Sequence, residues 1–187
     1  MVWTVVAVVA VIALAIITMY NGLAGLRVQS ENAWADIDVQ LKRRHDLIPN
    51  LVETVKGYVG HERQTLEAVI QARNRAMTAQ TPGAKAEAEG ILAQSLKSLF
   101  ALAEAYPQLR AVESFNQLQA SLNQIEEAVQ SARRYYNAVV RDFNTKIVQF
   151  PSNLIANYFQ FRPREFFEIT EATERQAPKV GFESAGR

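Results

Sequence analysis

The chain has 187 residues, 49% of them hydrophobic, with 20 Lys and Arg against 19 Asp and Glu, and no Cys. The net charge of +1 is spread evenly: residues 27–80 carry 8 basic and 7 acidic side chains, and residues 81–187 carry 12 of each. Without a basic stripe nucleic-acid binding is not expected, and without Cys there are no disulfides, thiol nucleophiles or Cys-ligated zinc.

From Val2 to Met19 every residue is apolar except Thr4 and Thr18, and none is charged. At about 1.5 Å per residue this run reaches roughly 27 Å, close to the hydrocarbon thickness of a bilayer. A cleaved signal peptide fits less well, because no Lys or Arg precedes Arg27 and the run exceeds the usual core of about 7–15 residues. A retained transmembrane anchor is therefore expected, in a bacterial inner membrane and crossing once. Arg27, with Lys42, Arg43 and Arg44 at the edge of the relevant window, favours an outside N-terminus and a cytoplasmic helical domain. Tyr20 suits the membrane–water interface.

The predicted organisation is an anchor and junction over 1–26, a bundle of long antiparallel helices over 27–169, and a polar, disordered tail over 170–187. The fold class is all-α with coiled-coil-like packing. The junction carries Gly22 and Gly25, yet it is short enough for the anchor to run almost directly into the first long helix. That helix is expected over about 31–80, with Trp34, Ile37, Leu41, Ile48, Leu51, Val55, Tyr58 and Val69 on one seam. Arg44 and Glu62 fall on the same seam, and Pro49 predicts a kink near 45–49. Thr81-Pro82-Gly83 is a turn. A second helix follows over about 84–105, with Ala88, Leu92, Ser95, Leu99 and Leu102 on one stripe.

The third helix, about 107–150, has the cleanest pattern. Phe115, Leu118, Leu122, Ile125, Val129, Ala132, Tyr136, Val139 and Phe143 alternate strictly by three and four, a period of 3.5 that favours left-handed supercoiling. Pro151-Ser152-Asn153 ends it and opens a short fourth helix. Five of the nine Phe lie between 150 and 167. Phe159, Phe161, Phe166 and Phe167 either pack back on the bundle or touch the membrane surface, where Arg162 and Arg164 would assist.

No catalytic motif emerges. His61-Glu62 would need a second His at Thr65 for a zinc site, and His45 and His61 fall on different faces of a helix. No enzyme activity, metal or cofactor is expected. Arg44, a guanidinium on a helix seam, requires a buried partner, with Glu126 or Glu127 as candidates. Trp34, Arg44, Arg133, Tyr135 and Tyr136 are the candidate assembly residues.

The stretch Ala33-Trp34-Ala35-Asp36-Ile37-Asp38-Val39-Gln40-Leu41-Lys42-Arg43-Arg44-His45-Asp46-Leu47-Ile48-Pro49-Asn50-Leu51-Val52 resembles the signature of the bacterial LemA family. So do Tyr20-Asn21, Tyr106-Pro107, Ala132-Arg133-Arg134-Tyr135-Tyr136-Asn137, Asn144-Thr145 and Phe150-Pro151-Ser152-Asn153-Leu154-Ile155-Ala156. The likeness runs from about Tyr20 to Phe167. It departs at Gln160, where the family usually has Gly, which argues against a sharp fold-back there. The resemblance implies one N-terminal transmembrane helix, long antiparallel helices and no established enzymatic activity. One relative takes part in building magnetosome membranes.

The leading expectation is a membrane-anchored, self-assembling scaffold, a homo-oligomer that organises or shapes the bacterial membrane. The alternative is a membrane-tethered adapter for a signalling or proteolytic partner. A third reading is a protein whose Phe-rich segment inserts into lipid and remodels it.

Overall fold

The computed structural model describes residues 1–59 and 62–168. Among these residues the chain is entirely helix and loop: α1 (Val2–Lys56), α2 (Arg63–Thr78), α3 (Pro82–Glu104), α4 (Pro107–Arg110), α5 (Glu113–Val148) and α6 (Ser152–Tyr158). The all-α class expected from the periodicities holds. His61 and the tail expected over 170–187 lie outside the described residues.

The first helix is one uninterrupted element of 55 residues, about 82 Å long at 1.5 Å per residue. Its first part is long and apolar enough to cross a membrane, and none of that window is buried in the bundle. There is no separate junction. Residues 21–30 are helical, and Gly22 sits where a Cβ would come within 2.7 Å of Lys146 Nζ. Beyond it Ser30, Ala33, Ile37, Leu41, Arg44, Ile48, Leu51 and Val55 form a buried seam.

Pro49 lies inside α1 without ending it. A proline at this place removes the N–H that would bond the carbonyl four residues earlier. That carbonyl belongs to His45, and it accepts instead from Arg73 Nε of α2 at 2.7 Å. The second helix thus satisfies the backbone group that the proline leaves open.

The helix expected over 31–80 is divided in two. It stops at Lys56, Gly57 follows, and α2 begins at Arg63. The break begins at Gly57, a weak helix former, and Glu62, which falls on the α1 seam in the sequence, is exposed just before α2. From there α2 turns back along α1. Leu66, Val69, Ala72 and Ala76 become its buried face.

Thr81 caps α3, its hydroxyl accepting from the Ala84 N–H at 3.2 Å, with Pro82 in the first turn. Both features are standard helix-start chemistry. The buried face is Ala86, Glu89, Leu92, Leu96, Leu99 and Ala103, with Ala88 beside it. The stripe expected through Ser95 and Leu102 is rotated: both are half-buried, while Leu96 and Ala103 go inside. The expected third helix also breaks once, at Ala111-Val112, where the Asn116 side-chain amide donates to the Arg110 carbonyl at 3.0 Å. All nine residues of its predicted seam are buried or half-buried.

Helices α1, α2, α3 and α5 run alternately up and down. Ile48, Leu51, Val55, Val69, Leu92, Leu99, Leu109 and Phe115 form the four-helix end of the core. The α2–α3 hairpin descends only to the level of Asp38, which pairs with Lys85. Below that level α1 and α5 continue as a two-helix stalk.

The stalk is closed by the chain that follows α6. Gln160 adopts a left-handed backbone, φ 57°, so the chain folds back although no glycine stands there. The expectation drawn from that departure is corrected. The side chains that follow supply the reason: Phe161 packs against Phe143 and Tyr20. Residues 161–168 then run extended along the α1–α5 groove.

Two asparagines on α5 hold this strap. Asn144 donates to the Arg164 carbonyl at 2.9 Å and accepts its N–H at 2.8 Å. Asn137 does the same with Phe167 at 3.1 and 2.9 Å. The spacing matches: seven helical residues and three extended residues both cover about 10 Å. Each amide stands in for the backbone of a neighbouring strand.

Candidate functional site

Two places in the fold concentrate polar or aromatic side chains. The first is a buried charge cluster at mid-height. Arg44 falls on the α1 seam, and its guanidinium nitrogen lies 3.2 Å from Glu126 Oε2 of α5 and 3.5 Å from Glu89 Oε2 of α3. His45 Nε2 bonds Glu89 Oε1 at 2.7 Å. Glu89 is fully buried, with Arg44 and His45 nearly so. A carboxylate in that position is tenable because both of its oxygens are engaged.

This cluster binds three helices to one another, and its composition suits no metal: a guanidinium sits among the carboxylates. Among the described residues no group of His, Asp and Glu is arranged to hold an ion. Of the two partners expected for Arg44, Glu126 is the one in place, and Glu127 is exposed. Sequence reading missed Glu89. The available signal was its position three residues before Leu92 on the face that continues through Leu96 and Leu99.

The second place is an aromatic junction where the strap meets the stalk. Trp34 lies 5.3 Å from Tyr136 and 5.6 Å from Phe167, ring centre to ring centre. Lys85 Nζ stands 5.6 Å over the indole, a cation–π contact. The Tyr136 hydroxyl donates to the Glu165 carbonyl at 2.9 Å.

Burial raises the Tyr136 phenol above its ordinary 10.0, with Arg164 opposing and Glu165 adding to the shift. Below pH 10.0 the phenol is neutral in both the folded and unfolded chain. Above it the unfolded chain ionises first, so stability falls as pH rises toward the folded value. Tyr136→Phe should abolish this part of the alkaline loss. Urea midpoints of the two proteins, compared across about pH 9–11, check it: a constant gap between them would refute the assignment.

Three of the five candidate assembly residues are therefore internal. Trp34 is half-buried beneath the strap, and Arg44 and Tyr136 are inside the protomer. Trp34 and Tyr136 are covered by residues 165–167, an extended segment that leaves no helical periodicity by which to anticipate it. Arg133 and Tyr135 remain on the flank. Arg133 bonds Gln130, and the Tyr135 hydroxyl accepts from Gln29 at 2.8 Å.

The four candidate membrane-contact residues also separate. Phe167 is fully buried. Phe166 neighbours it, and Phe167 packs on Trp34, fifteen residues or about 22 Å up α1 from Met19. Phe161 is half-buried in the lower core. Phe159 is exposed beside Tyr20, next to the apolar segment.

Between α3 and α5 an open groove of about 1270 Å³ exposes Ile91, Gln94, Lys97, Phe100 and Asn123, with Glu126 in its wall.

The pattern of the LemA family matches residues 33–182, four-fifths of the sequence and the whole of this architecture from Ala33 onward. The chain belongs to the LemA family. Among its relatives is "Magnetosome protein MamQ 2" of Paramagnetospirillum magneticum, 24% identical over 194 aligned residues covering 90% of this chain and 71% of that protein. "Magnetosome protein MamQ 1" of the same organism matches to the same degree. "Protein LemA" of Metamycoplasma hominis is 24% identical over 142 residues, 75% of this chain and 65% of that protein. Family membership, the relatives and the apolar end of α1 together fit a membrane-anchored helical protein.

Proposed function

We propose that this LemA-family chain is a single-pass, membrane-anchored scaffold that assembles with copies of itself and thereby organises the bacterial inner membrane, with its helical domain in the cytoplasm. The observation that carries the reading is the continuity of α1 from Val2 to Lys56. A bundle mounted on its span through an unbroken helix holds a defined pose at the membrane, which a flexible linker would not give. Lateral contact is supported by an exposed face of α1. Val28, Ala35 and Val39 recur there at helical spacing, with Tyr135 exposed on the neighbouring helix. The kinship with magnetosome proteins agrees with a membrane-organising role. No chemistry of its own is assigned to the scaffold.

The expected result is that full-length protein is oligomeric both in detergent and in lipid nanodiscs, and that Val28→Glu with Val39→Glu returns it to monomer. Wild-type protein that is monomeric in both, by light scattering and by imaging, would sink the proposal.

The α3–α5 groove favours a second reading, an adapter for a signalling or proteolytic partner. In that case Lys97→Glu would remove a stoichiometric non-self protein from the membrane-extracted complex and leave self-association unchanged.

A further inference from the structure

The lower end of the bundle carries more exposed apolar surface than its position as a loop corner explains. Phe150 is 80% exposed, Tyr158 80%, Val148 70%, Leu154 59% and Phe159 47%. All five belong to the end of α5, to α6 or to the turns flanking it. The fold has other uses for apolar side chains here, since Ile147, Ala156, Ile155 and Phe161 of the same stretch close on Leu23 and Phe143. The five exposed ones are those left on the outer side.

Their height identifies what they face. Lys146 lies against Gly22, only three residues or about 5 Å beyond Met19 along α1. Because α5 descends antiparallel to α1, the end of α5 after Lys146 and the turn into α6 continue toward the level at which the apolar segment ends. Tyr20 makes the junction directly. Its ring centre is 4.7 Å from that of Phe159, and Phe159 is 5.0 Å from Tyr158. One run of aromatic rings thus leads from the top of the apolar segment onto α6.

Charge follows the same boundary. From Ile147 to Phe161 there is no Asp, Glu, Lys or Arg, while Lys146 stands on one side and Arg162 on the other. An uncharged, aromatic-rich segment with basic flanks is the composition favoured at the boundary between acyl chains and headgroups. The flanking cations suit anionic lipid.

We infer that the α5–α6 corner is a second membrane contact, lying in the headgroup–acyl boundary beside the span, with Phe150, Leu154, Tyr158 and Phe159 as its lipid-facing side chains. The inference rests on reading Val2–Met19 as a span, and it does not depend on self-assembly. Its occupant is the lipid of the same leaflet that α1 leaves, since the patch is continuous with the exposed face of the span through Tyr20. The bundle then touches the bilayer at two points, and the second point fixes its tilt.

The chain has no native Cys, so single spin labels read the question in the full-length protein. Leu154→Cys and Tyr158→Cys are labelled in nanodiscs of phosphatidylethanolamine and phosphatidylglycerol, with Val9→Cys as the span reference and Met77→Cys, exposed on α2, as the aqueous one. All four positions are on the surface, so the fold tolerates the label. The expected result is a ratio of oxygen to water-soluble nickel accessibility at 154 and 158 several-fold above that at 77, approaching that at 9. Labels at 154 and 158 that read like 77 while 9 reads as lipid overturn the second contact alone. An aqueous reading at 9 overturns the span, and the corner with it. Low access to both reagents at 154 and 158 would place a second copy over the patch and overturn the lipid assignment.

Discussion

Glu89→Ala is expected to destabilise the fold by about 3–5 kcal/mol, the cost of breaking a buried ion pair from one side. Glu89 is fully buried on α3 and takes contacts from both Arg44 and His45 of α1. Its removal leaves the guanidinium with Glu126 alone and strips His45 Nε2 of its partner. By contrast, replacing Arg44, His45 and Glu89 together with apolar residues of similar size should cost less than the single change, because the desolvation cost of those three charges disappears with them and the Glu126 carboxylate left behind is partly open to solvent. Denaturant midpoints of the single and triple variants in detergent measure both. If the triple variant is as unstable as the single, the cluster supplies more than paired burial, such as the register of α1 against α3.

Phe143→Ala is expected to cost a further about 3–5 kcal/mol, the range for deleting a buried phenylalanine. Phe143 is buried on α5, where only the short α6 is packed against the two stalk helices, and it joins Leu23, Ile147, Ala156 and Phe161. Few neighbours are available to collapse into the space. The loss should appear first in the strap, since Phe161 is the anchor from which residues 162–168 set out along the groove. Trypsin should then cut after Arg164 far faster than in the parent protein, at denaturant concentrations where α1 and α5 still hold together; the Arg162–Pro163 bond resists trypsin in either state. Unchanged cleavage would show that Asn137 and Asn144 suffice to retain the strap.

The long helices were legible because their seams are long. Four heptads from Phe115 to Phe143 locate the buried face of α5 residue by residue, and the charge on the α1 seam calls for a glutamate of α5, Glu126 or Glu127, of which Glu126 is in place. The breaks were harder. Glu62 on the seam lies in the break between α1 and α2, but a single misplaced charge also has an innocent explanation in Arg44, which the core does absorb. The difference is whether another helix brings a partner to that height, and this is a tertiary fact.

The strap was illegible for a different reason: an extended segment lying on helices has neither a 3.6- nor a 2-residue apolar repeat of its own. Its trace lies in its support. Asn137 and Asn144 stand seven residues apart on one face of α5, and two amides at that spacing are matched to three residues of extended chain. Gln160 shows the limit of analogy in the opposite sense. A missing glycine raised the cost of the turn without preventing it, because Phe161 finds Phe143 and Tyr20 on the far side.

The unbroken course of α1 also makes the protein a torsional device. Two elements on one helix share a rotational phase, and each residue between them contributes about 100°. Leu23, fixed against Phe143 and Ile147, thereby dictates which side chains of Val2–Met19 point toward the bundle's own side and which point away. Adding or removing one residue between Met19 and Leu23 would turn the whole span by about 100° under an unaltered bundle. Any rotation of the bundle about the α1 axis is carried into Val2–Met19 as the same rotation, undiminished by a hinge.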